Sequence, residues 1–298
     1  MNRKFHPPRR LYDINLPGRG LLRLGERCLV MGVVNVTPDS FASSSLVDPE
    51  AAVAEALQLE ADGADIIDVG GESTRPSASP VSAADELARV LPVVRGLANR
   101  LTIPLSIDTY KASVARGAVD AGAAIINDVS GLRVDPALAA VAASSGAALV
   151  LMHTRGGPQT MQNEAEYADL IVEIAAELRA SIDAAVASGV PIDRIIADPG
   201  IGFAKRPRHS YGVLGQLPAL AAALDRPLLV GPSRKSFMRH ALADRPPKER
   251  DWGTAAAVTA AVLAGAHIVR VHAVKEMVQV VRVAEEIRCA GQEAEGLP

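Results

Sequence analysis

The stretch P-L-S-I-D-T-Y-K, residues 104–111, decides the architecture. It opens as a short apolar strand behind a proline and stops at an ionisable group, Asp108. A strand covered on both faces reads as a continuous apolar run, so a carboxylate at its far end needs a partner. The same shape recurs along the chain. V-M-G-V-V-N ends at Asn35, I-I-D-V-G-G carries Asp68, and I-I-N-D-V carries Asn127 and Asp128. A-L-V-L-M-H ends at His153, I-I-A-D-P-G carries Asp198, L-L-V-G-P-S-R-K reaches Lys235, and I-V-R-V-H carries Arg270 and His272. Eight such segments, each followed by a helical pattern, predict a closed parallel (β/α)8 barrel with one polar mouth.

The totals agree with one such barrel. The chain has 298 residues, 49% of them hydrophobic, which is enough for a full core in a single domain. Aromatics are only 3%, so the core is aliphatic. A net charge of −3 argues against nucleic acid or a membrane surface as the main partner. Cys28 and Cys289 lie near opposite ends with no metal or redox spacing and read as free thiols in a reducing cytoplasm. No apolar run reaches the length of a membrane span, and no signal-peptide core opens the chain.

Taken in order, residues 1–20 hold Arg3, Lys4, Arg9 and Arg10 among prolines and read as a flexible basic tail. The barrel domain is expected over 21–298. It opens on L-L-R-L-G-E-R-C-L-V, a short hairpin placed to cap the barrel floor. Strands are expected at 29–36, 66–70, 105–109, 125–129, 148–153, 195–198, 228–231 and 268–271. The helices between them start near Asp48, after Ser82 (with Asp85 as a capping box), at Lys111 and near Asp135. Further helices are expected over 164–188 (the longest), 211–224, 251–264 and 275–289. An open doubly wound sheet is the competing architecture. The barrel is preferred because polar residues end nearly all the strands, whereas an open sheet gathers its site at one switch point.

The strand-end groups fall into two sets. Asp108, Asn127, Asp198 and Lys235 suit a flat heterocycle: carboxylates accept from ring N–H edges and the lysine donates to a carbonyl or ring nitrogen. Asn35, Arg75, Arg270 and His272 suit an anion such as phosphate. Plainer roles compete at several positions. Asp68 and Asp128 read equally well as loop ties, Asp39 as a turn residue, and His153 as a core histidine. His209 and His240 read as surface residues, and Arg234 as the partner of a nearby carboxylate. No G-x-G-x-x-G, Walker loop, nucleophilic triad or zinc spacing is present.

Eight ordered motifs then resemble one family. M-G-V-V-N-V-T-P-D-S-F, D-V-G-G-E-S-T-R-P, L-S-I-D-T, I-I-N-D-V-S, L-M-H-T-R-G-G-P-Q-T-M-Q, D-P-G-I-G-F-A-K, V-G-P-S-R-K-S-F and I-V-R-V-H are similar to those of the dihydropteroate synthases, pterin-binding barrel enzymes. The resemblance implies a transferase of folate biosynthesis, cytoplasmic, usually a homodimer and assisted by Mg2+. It would join p-aminobenzoate to 6-hydroxymethyl-7,8-dihydropterin diphosphate. Carried over by motif, Asp108, Asn127, Asp198 and Lys235 would grip the pterin, and Thr74, Arg270 and His272 the diphosphate. Phe203 and Ser236, with Thr74, would form the p-aminobenzoate pocket, and Asn35 would ligate Mg2+. Asp39, Arg75 and Lys235 would take the catalytic roles, the first two on loops that order over substrate. The chain departs from the family pattern in three places: Ala42-Ser43-Ser44-Ser45 after Phe41, Ser210 after His209, and Ala273 after R-V-H. A pterin-dependent methyltransferase and a noncatalytic pterin-binding paralogue are the alternatives.

Overall fold

The structure, a computed structural model, describes residues 9–37, 48–73, 79–157 and 159–294. Eight parallel strands follow the sequence rhythm: β3 (Leu29–Asn35), β4 (Ile66–Gly70), β5 (Leu105–Asp108), β6 (Ile125–Asp128), β7 (Ala148–Met152), β8 (Ile195–Asp198), β9 (Leu229–Val230) and β10 (Ile268–Val271). Their spatial order is β8-β7-β6-β5-β4-β3-β10-β9. A parallel bridge from Ala197 to Leu228 joins the two ends of that order, so the sheet closes on itself.

Alternation along each strand sorts the side chains into two layers. Leu29, Met31, Ile66, Ile125, Val150, Ile196, Leu229 and Ile268 form one buried cluster inside the barrel. Their neighbours Val30, Ile67, Ile126, Leu149, Ala197, Val230 and Val269 belong to a second cluster, packed under the helices. At Gly32 that outer layer is tight against the strand. A Cβ there would lie 3.0 Å from Val274 and 3.1 Å from Leu59.

The helices are α1 (Pro49–Ala61), α2 (Ala83–Ala98), α3 (Ala112–Asp120), α4 (Ala137–Ser145), α5 (Leu170–Ala187), α6 (Pro207–Gly215), α7 (Leu217–Leu224), α8 (Arg239–Leu242), α9 (Asp251–Leu263) and α10 (Val274–Ala294). Local chemistry fixes their starts. Asp48 Oδ1 accepts from Glu50 N at 3.0 Å to begin α1. The Ser82 hydroxyl accepts from Asp85 N at 3.1 Å to begin α2. The Asp85 carboxylate answers by accepting from that hydroxyl, not from the Ser82 N–H of a full capping box.

Three expectations change. The helix expected from 164 starts at Leu170, because Asp169 caps it through Val172 N while Glu173 accepts from Ala168 N and Asp169 N. At 18 residues it is shorter than α10, which has 21. The single helix expected over 211–224 is two, α6 and α7. Gln216 ends one and starts the other, and Pro218 has no N–H with which to continue the first ladder.

The third change is at the N-terminus. Order begins well before residue 20. β1 (Tyr12–Leu16) and β2 (Gly20–Leu24) form an antiparallel hairpin whose Ile14, Leu16, Leu22 and Leu24 point into the barrel's inner cluster. Burying each such side chain contributes roughly 1.5–3 kcal/mol. Arg9, expected in the basic tail, is buried and donates to Glu285 at 2.7 Å, a carboxylate that also accepts from Cys28 N. The hairpin therefore closes the floor as anticipated, and the open end of the barrel lies opposite it.

Candidate active site

Two residues along a strand from the apolar floor, the same inward face turns polar. Ile66 is followed by Asp68, Ile125 by Asn127, Ile196 by Asp198, and Ile268 by Arg270. Asn35 shares the inward parity of Leu29 and Met31 at the end of β3. Register sets these groups side by side, with Asn35 opposite Gly70, Gly70 opposite Asp108, and Asp108 opposite Asn127.

Arg270 ties the ring together. Its Nε donates to Asp68 Oδ2 at 2.6 Å and its Nη2 to Asp108 Oδ2 at 2.7 Å. Asn127 Nδ2 donates to the same Asp68 oxygen at 3.0 Å. Asp68 Oδ1 and Asn127 Oδ1 are buried with no hydrogen-bond partner. Unsatisfied buried acceptors are costly, so both are suited to donors brought by a guest.

Asp198 and Lys235 complete the ring. Asp198 Oδ1 accepts from Gly200 N at 2.7 Å, and Lys235 Nζ donates to Ile201 O at 2.6 Å. A Cβ built on Gly231 would lie 3.8 Å from Lys235 Nζ and 3.7 Å from Arg270 Cβ, so the Lys235 ammonium and the stem of Arg270 border one space. Lys235 Nζ also sits 4.5 Å from the centre of the Phe203 ring. His272 Nδ1 lies 2.9 Å from Ser233 Oγ. Ser236 is exposed at the start of a 3-10 turn, Ser236–Met238.

Burial sets the electrostatics. It pushes the Asp108 carboxyl up to about 7 despite the opposing pull of Arg270, and it raises Asp198 despite Lys235. It lowers Lys235 to about 8, against Asp198. Burial also works against the Arg270 charge, yet Asp68 and Asp108 hold that group above its ordinary value. The mouth thus holds two carboxyls, Asp108 and Asp198, that resist ionisation unless further positive charge comes near, beside an Arg270 already committed to Asp68 and Asp108.

The expected site residues Asp108, Asn127, Asp198, Lys235, Arg270 and Phe203 come together in this geometry. Asp39, Thr74 and Arg75 lie outside the described residues, as does the Ala42–Ser45 departure. Asp68 takes a larger part than its even reading as a loop tie suggested. The signal was available: it shares the inward parity of Ile66. Asp128, by contrast, is a loop tie, accepting from Ser130 N, Ser130 Oγ and Leu132 N. Arg234 pairs with Asp251 through two 2.7 Å bonds, as expected of a structural arginine. His209 is buried rather than superficial, packed edge-on to Tyr167 with ring centres 5.1 Å apart. Ser210 is fully buried, and its hydroxyl accepts from Gly202 N at 3.2 Å.

Comparison with known proteins now decides the family. The profile of the family described as pterin binding enzyme matches residues 31–272. This chain belongs to the pterin-binding enzymes. Within that family it is similar to the dihydropteroate synthase of Synechocystis sp., 48% identical over 271 residues that cover 91% of this chain and 93% of the relative. The solved dihydropteroate synthase of Xanthomonas albilineans with 4-aminobenzoic acid superposes with a TM-score of 0.86 at 39% identity, covering 94% of this chain and 99% of that one. The same enzyme in complex with 7,8-dihydropteroate gives 0.82 at 37% identity, covering 93% and 98%. A pterin-binding enzyme needs donors and acceptors for a flat, nitrogen-rich ring, and the polar mouth of this barrel supplies both.

Proposed function

We infer that this chain is a transferase of folate biosynthesis that condenses 6-hydroxymethyl-7,8-dihydropterin diphosphate with p-aminobenzoate, releasing diphosphate and 7,8-dihydropteroate. The observation that carries the reading is the inward ring of Asp108, Asn127, Asp198 and Lys235 above an apolar floor, in a chain close to dihydropteroate synthases over nearly its full length.

The ring's geometry supports a division of labour. Asp108, Asn127 and Asp198 accept from the N–H edges of the pterin, and Lys235 donates to its carbonyl or ring nitrogen. When the bond to diphosphate breaks, the pterin ring takes on positive charge. Asp108 and Asp198, whose charged forms burial disfavours, gain most at that moment, so they bind the cation-like transition state better than the neutral ground state. Arg270 and His272 face the departing anion at the β10 end of the mouth, with Thr74 as a further contact. Phe203 and Ser236 border the space for p-aminobenzoate, whose aniline nitrogen attacks without a dedicated strong base. Asp39 and Arg75, outside the described residues, complete the catalytic set with Lys235 by motif.

Among the described residues no cluster of three carboxylate, histidine or cysteine ligands could cage a metal. One amide oxygen from Asn35 plus phosphate oxygens suits Mg2+, which is commonly held largely by substrate and water. When bound, Mg2+ neutralises charge on the leaving diphosphate. Homodimerisation is supported by Trp252 on α9, which is 89% exposed, with Val283 and Ile287 exposed on the adjacent α10. A cytoplasmic location fits two cysteines without a disulfide, and among the described residues no helix is long and apolar enough to cross a membrane.

Mixing the purified protein with both substrates and following diphosphate release tests the reading. Release that requires p-aminobenzoate supports it. A protein that binds pterin and releases no diphosphate is a binding paralogue instead.

A further inference from the structure

The loop from Pro199 to Lys205, between β8 and α6, has an unusual backbone: Gly200, Gly202 and Ala204 have φ of +68°, +82° and +45°. At Gly200 the requirement is absolute, because a Cβ would fall 2.0 Å from His153 O. Such a path persists only if its surroundings specify it. Here side-chain donors do so. Lys235 donates to Ile201 O, Tyr167 donates to Ala204 O at 2.9 Å, and Lys205 Nζ donates to Phe203 O at 3.1 Å.

Lys205 is the odd member of that set. Only 2% exposed, its ammonium touches no carboxylate, its other partner being His153 Nδ1 at 2.8 Å. Burial, then Lys205 itself, push His153 down to about 4, so the ring is neutral at pH 7. Its Nδ1 accepts from the lysine, which leaves the proton on Nε2. That nitrogen has no well-formed hydrogen bond, and the acceptor facing it is Glu177 Oε2 at 3.3 Å. Glu177 is in turn gripped by Arg155 and Arg133. A chain of contacts therefore runs from α5 through His153 and Lys205 to the carbonyl of Phe203. A hydrocarbon side chain would bury more cheaply in that position, so stability alone does not account for a lysine there.

We propose that Lys205 is a positioning residue that holds the Phe203 shelf at the height and angle at which the p-aminobenzoate ring stacks. It does so by clamping the Phe203 carbonyl to the neutral His153 ring. The proposal rests on the reading of Phe203 as part of the p-aminobenzoate pocket. Lys205 touches neither substrate. Its effect reaches the nucleophile's site through the loop, while the pterin ring keeps Asp108 and Asn127, which stand on β5 and β6 and outside that loop.

The test is Lys205→Met, a replacement of similar length without donors, compared with the unaltered protein by steady-state diphosphate release and thermal melting. The expected result is a KM for p-aminobenzoate raised about tenfold, with KM for the pterin diphosphate changed less than about threefold. The melting temperature is equal or higher. Unchanged KM values in the folded variant overturn the proposal. So do both KM values rising together with a fall in melting temperature, which marks a purely structural lysine. If Lys205→Met does not fold, Lys205→Arg replaces it: a donor of different reach is expected to raise the p-aminobenzoate KM selectively, and equal KM values sink the idea. Absence of diphosphate release from the unaltered protein condemns the functional reading itself, a separate outcome.

Discussion

The floor and the mouth of this barrel are built by the same strands, two residues apart, and they obey opposite rules. At the floor Ile66, Ile125, Ile196 and Ile268 meet the hairpin's Ile14, Leu16, Leu22 and Leu24 in one apolar cluster, with the small Ser106 beside Ile125. One inward step higher stand Asp68, Asn127, Asp198 and Arg270. Burial stabilises the first layer and penalises the second, where groups are held by one another and two acceptors remain unmatched. Function is placed where the fold bears a cost, and the hydrocarbon beneath offsets it.

Substitutions in the two layers should therefore fail in different ways. The largest effect is expected at Asp108→Asn. Losing the carboxylate removes charge stabilisation of the pterin cation, and diphosphate release should fall by about a thousandfold. The fold should survive, because the charge removed is one that burial disfavours. Melting followed by circular dichroism at pH 8 should give an unchanged or higher midpoint, and a collapse of the barrel would reverse the comparison.

Leu24→Ala is the counterpart at the floor. Leu24 is 1% exposed, and the cavity left should lower stability by roughly 3 kcal/mol. KM for both substrates should stay as they were, measured below the shifted melting point. A selective loss of turnover here would mean that the two layers are not separate in function.

A smaller and graded effect is expected from pH. The free protein's Asp108 titrates at about 7, so kcat/KM for the pterin substrate should drop about tenfold per unit as pH falls below that point. Stability runs the other way for this group. Its folded pKa lies above the ordinary 3.8, so the folded state holds the proton more tightly than the unfolded chain. That contribution is fully present below 3.8 and is lost as pH rises through about 7. Activity and this residue's share of stability should thus move in opposite directions across that window, and Asp108→Asn should erase both slopes.

Much of the mouth could be read in the sequence because it follows strand alternation. Asp198 and Arg270 end apolar runs, and period-two counting puts both on the inner face. Asp68 obeys the same count, yet a carboxylate in the middle of a strand resembles a loop tie until Arg270 and Asn127 are seen on one of its oxygens. Contacts between distant segments were not legible at all. Lys205 and His153 are 52 positions apart and meet only once β7 and β8 pair. The hairpin was partly legible. L-L-R-L signalled its second strand, but Y-D-I-N-L was masked by the neighbouring prolines and arginines that suggest a tail. The division of α6 from α7 turns on Pro218, which a helical pattern of Leu and Ala obscures.

A crystal structure of the protein with 7,8-dihydropteroate bound tests the central claim most directly. The account predicts the pterin ring inside the barrel mouth, with its N–H edges within about 3 Å of the Asp108 and Asp198 carboxylates and Lys235 Nζ on its carbonyl or ring nitrogen. A pterin seated elsewhere, with Asp108 still closed onto Arg270 and Lys235 onto Ile201, would contradict it.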